Sequence, residues 1–192
     1  YGDVPLVSVD TLQKLIVTAQ EKHCALLTAV VEDPTGYGRI VRDSETEAVT
    51  AIIEQKDANR DQQSICEINT GIMLVPNAYL HEWLPKLENK NAQHEYYLTD
   101  IIAMAAKQNV RVVSSQPANL WEVMGVNNKR QLAELERIYQ KEYAGKLLDR
   151  GVSVADPARI DIRGELICGS DVEIDIDCIF EGIVKLGDRV QV

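Results

Sequence analysis

Leu166-Ile167-Cys168-Gly169-Ser170-Asp171-Val172-Glu173-Ile174-Asp175-Ile176-Asp177-Cys178-Ile179-Phe180 decides the fold of the C-terminal part of this chain. Apolar residues recur there every six positions, in two interleaved series. Ile162, Cys168, Ile174, Phe180, Leu186 and Val192 form one, and Leu166, Val172, Cys178, Val184 and Val190 the other. A period of six matches neither the 3.6 of a helix nor the 2 of a strand. It is the hexapeptide signature of a parallel β-helix, where each hexad builds one face of a triangular coil and small or acidic residues turn the corners. Roughly one and a half to two coils are present, and such solenoids need about three or more repeats to stand alone. The reading therefore expects further coils beyond Val192. Cys168 and Cys178 fall on the inward stripes and are expected to be small core residues.

Upstream, the texture is that of an α/β domain. Cys24-Ala25-Leu26-Leu27-Thr28-Ala29-Val30-Val31 is a nearly continuous apolar run, as expected of a strand buried on both faces in a mainly parallel sheet. Before it, Asp10-Thr11-Leu12-Gln13 reads as a capping box opening a helix with Leu12, Leu15, Ile16 and Ala19 as its stripe. Arg39–Arg42 and Val49–Glu54 are expected to form a hairpin across residues 43–47. Residues 57–64 read as exposed and polar, and Ile68–Val75 as a strand interrupted at Asn69-Thr70-Gly71. Helices are expected over 78–87 and 97–108, and strands over 110–114 and 120–124. Asn127 or Asn128 caps a long helix with Leu132, Leu135, Ile138, Tyr139, Leu147 and Leu148 as its stripe, and Gly151 stops it. About 22 residues at ~1.5 Å each span roughly 33 Å. That length suits an arm between domains; an amphipathic helix packed on its own domain has the same periodicity.

The 192 residues are 45% hydrophobic, enough for a substantial core, and carry a formal net charge of −10. That balance argues against nucleic acid or an anionic membrane as the main partner. A phosphorylated substrate is compatible with it, because a divalent metal reverses the sign locally. The four cysteines form no CxxC pair, and a chain of this size needs no disulfide staple, so a reduced, cytoplasmic setting is expected. Cys24 opens the buried strand and is expected in the core, while nothing assigns Cys66. No apolar run approaches the roughly 18 residues of a membrane span.

Five places point to chemistry. Tyr1-Gly2-Asp3-Val4-Pro5-Leu6 reads as a strand exit, where ligands gather in open α/β sheets. Gly2 permits a tight backbone and Asp3 offers a carboxylate to a metal. Because no strand precedes this exit, the chain is read as a segment of a longer protein. Gly36-Tyr37-Gly38-Arg39 allows close backbone approach to a ligand, or is a plain turn. Glu54-Gln55-Lys56-Asp57 ends an apolar strand and is either functional or a solvated strand end. Asn69 lies inside a strand, where Asn is disfavoured, and so has a local task. Asn127 puts a side-chain oxygen at a strand-to-helix junction, where it is a ligand or simply an N-cap.

Six ordered motifs carry a resemblance over essentially the whole chain: Tyr-Gly-Asp-x-Pro-Leu, Asp-Pro-Thr-Gly-Tyr-Gly-Arg-Ile, Ile-Glu-x-Lys-Asp-Ala, Glu-Ile-Asn-Thr-Gly, Glu-Tyr-Tyr-x-Thr-Asp and Gly-Val-Asn-Asn. Followed by hexads, they resemble the bifunctional bacterial N-acetylglucosamine-1-phosphate uridyltransferase/glucosamine-1-phosphate acetyltransferases. The resemblance implies a Rossmann-like nucleotide-diphospho-sugar transferase domain, of which residues 1–127 are the C-terminal part. It further implies a linker helix over 128–150 and the first repeats of a left-handed β-helix acetyltransferase domain over 151–192. It implies Mg2+ on Asp3 and Asn127, and a sugar nucleotide against Tyr1, Gly2, Asp3, Gly38, Glu54, Asn69 and Asn127. The implied substrates are UTP and N-acetylglucosamine 1-phosphate, giving UDP-N-acetylglucosamine for peptidoglycan and lipopolysaccharide. Acetyl-CoA is the co-substrate of the second activity, and a homotrimer is the implied assembly of the parent.

The physical logic agrees with that implication. The nucleophile is a sugar-phosphate oxygen, already anionic, which attacks the α-phosphorus as pyrophosphate leaves. No strong general base is required, and His23, His81 and His94 lie outside the motifs. The task is positioning and charge neutralisation, which a divalent metal performs well. The family's N-terminal glycine-rich phosphate loop and most of its acetyltransferase domain have no counterpart in the 192 residues, so the chain is expected to be incomplete for either activity. Two other readings remain: a hexapeptide-repeat acyltransferase whose front domain only binds, and a non-catalytic regulatory homologue.

Overall fold

The computed structural model describes residues 2–20 and 22–192. They divide into two compact units. One is Val7–Val123; the other is Met124–Val192 with the segment that ends at Leu6.

In the first unit, α1 (Val9–Ala19) precedes β1 (Cys24–Val30), β2 (Arg39–Arg42), β3 (Val49–Ile53), the single-turn α2 (Arg60–Gln63) and β4 (Glu67–Leu74). Then come α3 (Asn77–Trp83), which runs into a 3-10 turn at Leu84–Lys86, α4 (Asp100–Lys107) and β5 (Val112–Ser115). The strands make one sheet in the order β3-β2-β4-β1-β5. Alternation along β1 explains its unbroken apolar run. Cys24 and Leu26 join Ile40, Ile52, Trp83, Ile101 and Ile102 in one core. Ala25, Leu27 and Ala29 face the other way, onto Leu15 and Ala19 of α1. At about 25 cal/mol per Å2 of apolar surface, each fully buried Leu or Ile contributes roughly 1.5–3 kcal/mol.

Several expectations need correction. The sheet is not mainly parallel: β1 pairs with β5 in parallel, but β1–β4, β2–β3 and β2–β4 are antiparallel. A strand buried on both faces needs helices above and below it, and antiparallel neighbours are compatible with that. The cap of α1 is Ser8, whose hydroxyl accepts the Thr11 N–H at 3.1 Å; Asp10 lies inside the first turn. The expected helices at 78–87 and 97–108 are shorter, Pro85 falling in the 3-10 turn that ends the first. Within the polar stretch 57–64, Asn59 and Gln62 close a reciprocal capping box on α2.

Residues 120–124 are not a strand, since Leu120–Val123 form a 3-10 turn. The Glu122 carboxylate turns inward there and accepts the Asn119 N–H at 3.1 Å, while its own N–H reaches the Asn119 carbonyl. That local closure competes with an extended backbone. The interruption expected in β4 is a bulge. Leu26 pairs with Met73 and Thr28 with Asn69, so three residues of β4 stand opposite Leu27. Gly71 supplies the φ of +84° that this requires, and the Thr70 hydroxyl donates to the Leu27 carbonyl at 2.7 Å.

In the second unit, Asn128 is the residue that caps the long helix α5 (Lys129–Asp149). The short β6 (Ser153–Val154) pairs in parallel with β8 (Glu173–Ile174), and β7 (Ile160–Cys168) with β9 (Cys178–Leu186). Ile160 sits over Cys178 and Cys168 over Leu186, so the second pair is offset by three hexads. Val152, Ile160, Ile162, Leu166, Val172, Ile174 and Phe180 make the core, with Cys168, Cys178, Val184 and Leu186 packed on it. Gly164 stands over Gly182 with φ +150°, and a Cβ there would run into the Gly182 carbonyl.

Half of α5 lies on these strands. Ala144 and Leu147 belong to their core. The buried Gln140 carboxamide accepts the Ile162 N–H at 2.7 Å and donates to the Ile162 carbonyl at 3.0 Å. The Leu166 N–H donates to the Tyr143 hydroxyl at 3.1 Å. No helix is long and apolar enough to cross a membrane among the described residues.

Candidate functional site

Gly38, Glu54 and Asn69 are far apart in sequence and adjacent in the first unit. The Asn69 N–H donates to the Gly38 carbonyl at 2.8 Å, tying the end of the 34–38 loop to β4. A Cβ on Gly38 would lie 3.3 Å from both carboxylate oxygens of Glu54 and 3.0 Å from Ile52. Glycine is thus what lets the backbone pass beside that carboxylate. The Asn69 Oδ1 accepts the Gly71 N–H at 3.2 Å, holding the carboxamide across the bulge. This is the local task that an Asn inside a strand implied.

All four residues of Glu54-Gln55-Lys56-Asp57 make hydrogen bonds; Glu54 and Gln55 are half-buried, while Lys56 and Asp57 are exposed, as a solvated strand end would be. Glu54 Oε1 accepts the Thr99 hydroxyl at 3.0 Å. Gln55 Oε1 accepts from Arg39 at 2.5 Å and from the Gly36 N–H at 3.4 Å. Lys56 donates to Gln93 at 2.6 Å, and Asp57 accepts the Ala92 N–H at 2.8 Å. The segment after α3 is thereby folded back on the end of β3. Glu54, Asp57, Lys90, Tyr97 and Asp100 line a cleft of about 280 Å3 there. Burial, and next the Asp57 charge, push the Asp100 carboxyl above its usual range; Lys107 opposes them. Burial likewise raises the Tyr97 hydroxyl, against a lowering hydrogen bond from Gln93.

In the second unit, the Val126 N–H donates to the Asp3 carbonyl at 2.8 Å, and Gly125 passes close to the same oxygen. Residues 2–4 and 125–127 therefore run beside each other, although more than a hundred positions separate them. Asp3 and Asn127 are both exposed. The Asn127 N–H donates to the Gln131 side chain at 2.8 Å. Among the described residues, no hydrogen bond engages the Asp3 carboxylate or the Asn127 carboxamide, and no group of three or more His, Cys, Asp and Glu side chains converges as a metal cluster. Gly2 is exposed with open space beyond its Cα. Tyr1 lies outside the described residues.

Two contributors escaped the sequence reading. Thr99 was visible only as part of the Glu-Tyr-Tyr-x-Thr-Asp motif, with nothing to link it to Glu54. Arg39 lay within the Gly36-Tyr37-Gly38-Arg39 stretch, but nothing in the sequence marked its side chain as buried, and it is 1% exposed.

No protein-family model matches the chain. Among curated proteins, it is 65% identical over 192 residues to the bifunctional protein GlmU of Nitrosospira multiformis. It is 57% identical over 192 residues to the proteins of the same name from Cupriavidus metallidurans and Ralstonia nicotianae. In each case all of the chain is aligned, and it spans 42% of the relative's length.

Proposed function

The chain belongs to the bifunctional GlmU family along its whole length, and from that premise we propose that it carries the sugar- and metal-binding residues of a uridylyltransferase. The reaction is transfer of uridylyl from UTP to N-acetylglucosamine 1-phosphate, releasing pyrophosphate and giving UDP-N-acetylglucosamine. The observation that carries this reading is the meeting of Gly38, Glu54 and Asn69. One oxygen of Glu54 is held by Thr99, leaving the other to accept from a sugar hydroxyl or an acetamido N–H. Asn69 has its oxygen committed to the Gly71 N–H, which leaves its NH2 group as the donor it can offer a sugar. Gly38 keeps the approach free of a side chain.

Asp3 and Asn127 fit a hard divalent cation: one carboxylate and one amide oxygen, both exposed and without a hydrogen-bond partner among the described residues, suit Mg2+, which keeps several waters. When bound, Mg2+ supplies neutralisation of phosphate charge. The chain's own part is to fix the acceptor sugar and present the two ligand oxygens. Tyr1, Gly2 and the Asp3 backbone complete the proposed set.

Residues 1–127 are proposed as the C-terminal part of the nucleotidyltransferase domain and 128–150 as the linker helix. Residues 151–192 are proposed as the first coils of a left-handed β-helix, supported by the three-hexad offset of the paired strands. The whole protein would then be a cytoplasmic homotrimer that also acetylates glucosamine 1-phosphate from acetyl-CoA, feeding peptidoglycan and lipopolysaccharide synthesis.

The test is Mg2+-dependent pyrophosphate release from UTP and N-acetylglucosamine 1-phosphate by the full-length protein that carries this chain. Asp3→Ala is expected to abolish release with folding retained. A folded full-length protein that releases none would leave a binding-only front domain or a regulatory homologue as the better reading.

A further inference from the structure

Arg39 is a buried guanidinium, and among the described residues it makes no ion pair with a carboxylate. Its acceptors are neutral: the Tyr37 carbonyl and, at 2.5 Å, the Gln55 Oε1. Its Nε has no partner among the described residues. Burying such a charge is costly unless the geometry it enforces compensates. That geometry is specific. Arg39 follows Gly38 and Gln55 follows Glu54, so the guanidinium joins the neighbours of two proposed sugar contacts. Gln55 Oε1 also receives the Gly36 N–H at 3.4 Å. Two ties thus hold the 34–38 loop to the end of β3, and both pass through the Gln55 carboxamide or the Arg39 guanidinium.

We propose that Arg39, acting through Gln55, is a positioning residue that sets the spacing between the Gly38 backbone and the Glu54 carboxylate and thereby governs affinity for the acceptor sugar. This rests on the reading of Gly38 and Glu54 as sugar contacts. Arg39 touches no reacting atom. A planar fork reaching two acceptors at once suits arginine, and lysine reaches only one of them well.

The experiment uses the full-length protein carrying this chain, with Arg39→Gln, Arg39→Lys, Gln55→Leu and the double variant Arg39→Gln/Gln55→Leu. Misplacement of binding groups by about an ångström costs up to roughly a hundredfold, so a rise of about tenfold in KM for N-acetylglucosamine 1-phosphate is expected for Arg39→Gln. KM for UTP and kcat are expected to stay within about twofold. Arg39→Lys should recover part of the loss. Gln55→Leu should match or exceed the Arg39→Gln loss, because it also removes the Gly36 tie, and the double variant should be no worse than Gln55→Leu, because the Arg39 tie to β3 runs through Gln55. Hydrogen exchange in residues 35–38 is expected to quicken in every variant while α4 amides stay protected.

Gln55 is half-buried, so its variant decides the matter where Arg39 variants fail to fold. A folded Gln55→Leu with unchanged acceptor KM and unchanged exchange overturns the proposal, as does a parallel rise in both KM values. Absence of turnover in the unaltered protein would instead count against the uridylyltransferase reading, and the exchange measurement then still decides the clamp.

Discussion

Glu122 shows how much one side chain organises. It is 1% exposed. Its Oε2 accepts the Ser8 and Thr11 hydroxyls at 2.6 Å each and the Ser8 N–H at 3.2 Å, while Oε1 takes the Asn119 N–H. Burial alone would raise this carboxyl, but the hydrogen bonds from Ser8, Thr11 and Asn119 outweigh it and hold the group below the usual glutamate range. A depressed native value means that its stabilisation is fully present above the unfolded value of about 4.3, and is lost as pH falls through the native one. Glu122→Gln is therefore expected to cost about 1–3 kcal/mol near neutral pH, since it leaves hydroxyl and amide donors facing an NH2 group. Urea titrations of both forms should converge as the pH falls below about 4, once the native carboxylate is protonated. A gap of constant size down to pH 3 would rule out the ionised carboxylate as the source. None of this was legible in the sequence. Ser8 and Glu122 are more than a hundred positions apart, and Asp10 offered a closer, wrong candidate for the cap. Gly38, Glu54 and Asn69 stood out as candidates because each broke a local rule: a second glycine in a turn, a charge at an apolar strand's end, an Asn inside a strand; the first two also fit a plain turn and a solvated strand end, and the resemblance singled them out.

Elements were legible where their signal is covalent and periodic. The hexad period has a counterpart in the structure, where β7 pairs in parallel with β9 at a separation of three hexads. The direction of the sheet was not legible. An apolar run shows that both faces of β1 are covered, but it is silent on which way the neighbours run. The place of α5 was also open, since an arm and a packed helix share one stripe. Gln140 settles it for the C-terminal half: a strand's backbone N–H and C=O are both satisfied by one side chain from the helix. Gln140→Leu fills the same space and orphans both backbone groups, at about 1–3 kcal/mol for each left unsatisfied. The expected outcome is a lower melting temperature and faster exchange of the Ile162 amide, whereas amides in β1 keep their protection. An unaltered Ile162 amide would mean that the pair contributes nothing to docking the helix.

At the scale of the whole molecule, the two units hold separate cores, and the four cysteines sample them unequally. Cys24 is fully buried between β1's neighbours, and burial pushes its thiol up to about 11. Cys168 is half-buried against the core of the paired strands and is also raised by burial. Cys178 is half-buried and Cys66 exposed. Only thiolates react with alkylating agents, so both access and the raised values protect the inner thiols. Alkylation of the native chain at pH 7.5, read by peptide mass spectrometry, is expected to mark Cys66 first and Cys168 and Cys178 more slowly. Cys24 should be marked only as denaturant opens the sheet. Because exposure of Cys24 requires parting the layers on both sides of β1, its labelling follows loss of the α/β core, and that of Cys168 follows the strand pairs under α5. Native labelling of Cys24 as fast as that of Cys66 would contradict the two-faced burial on which the placement of β4, and with it Asn69, depends.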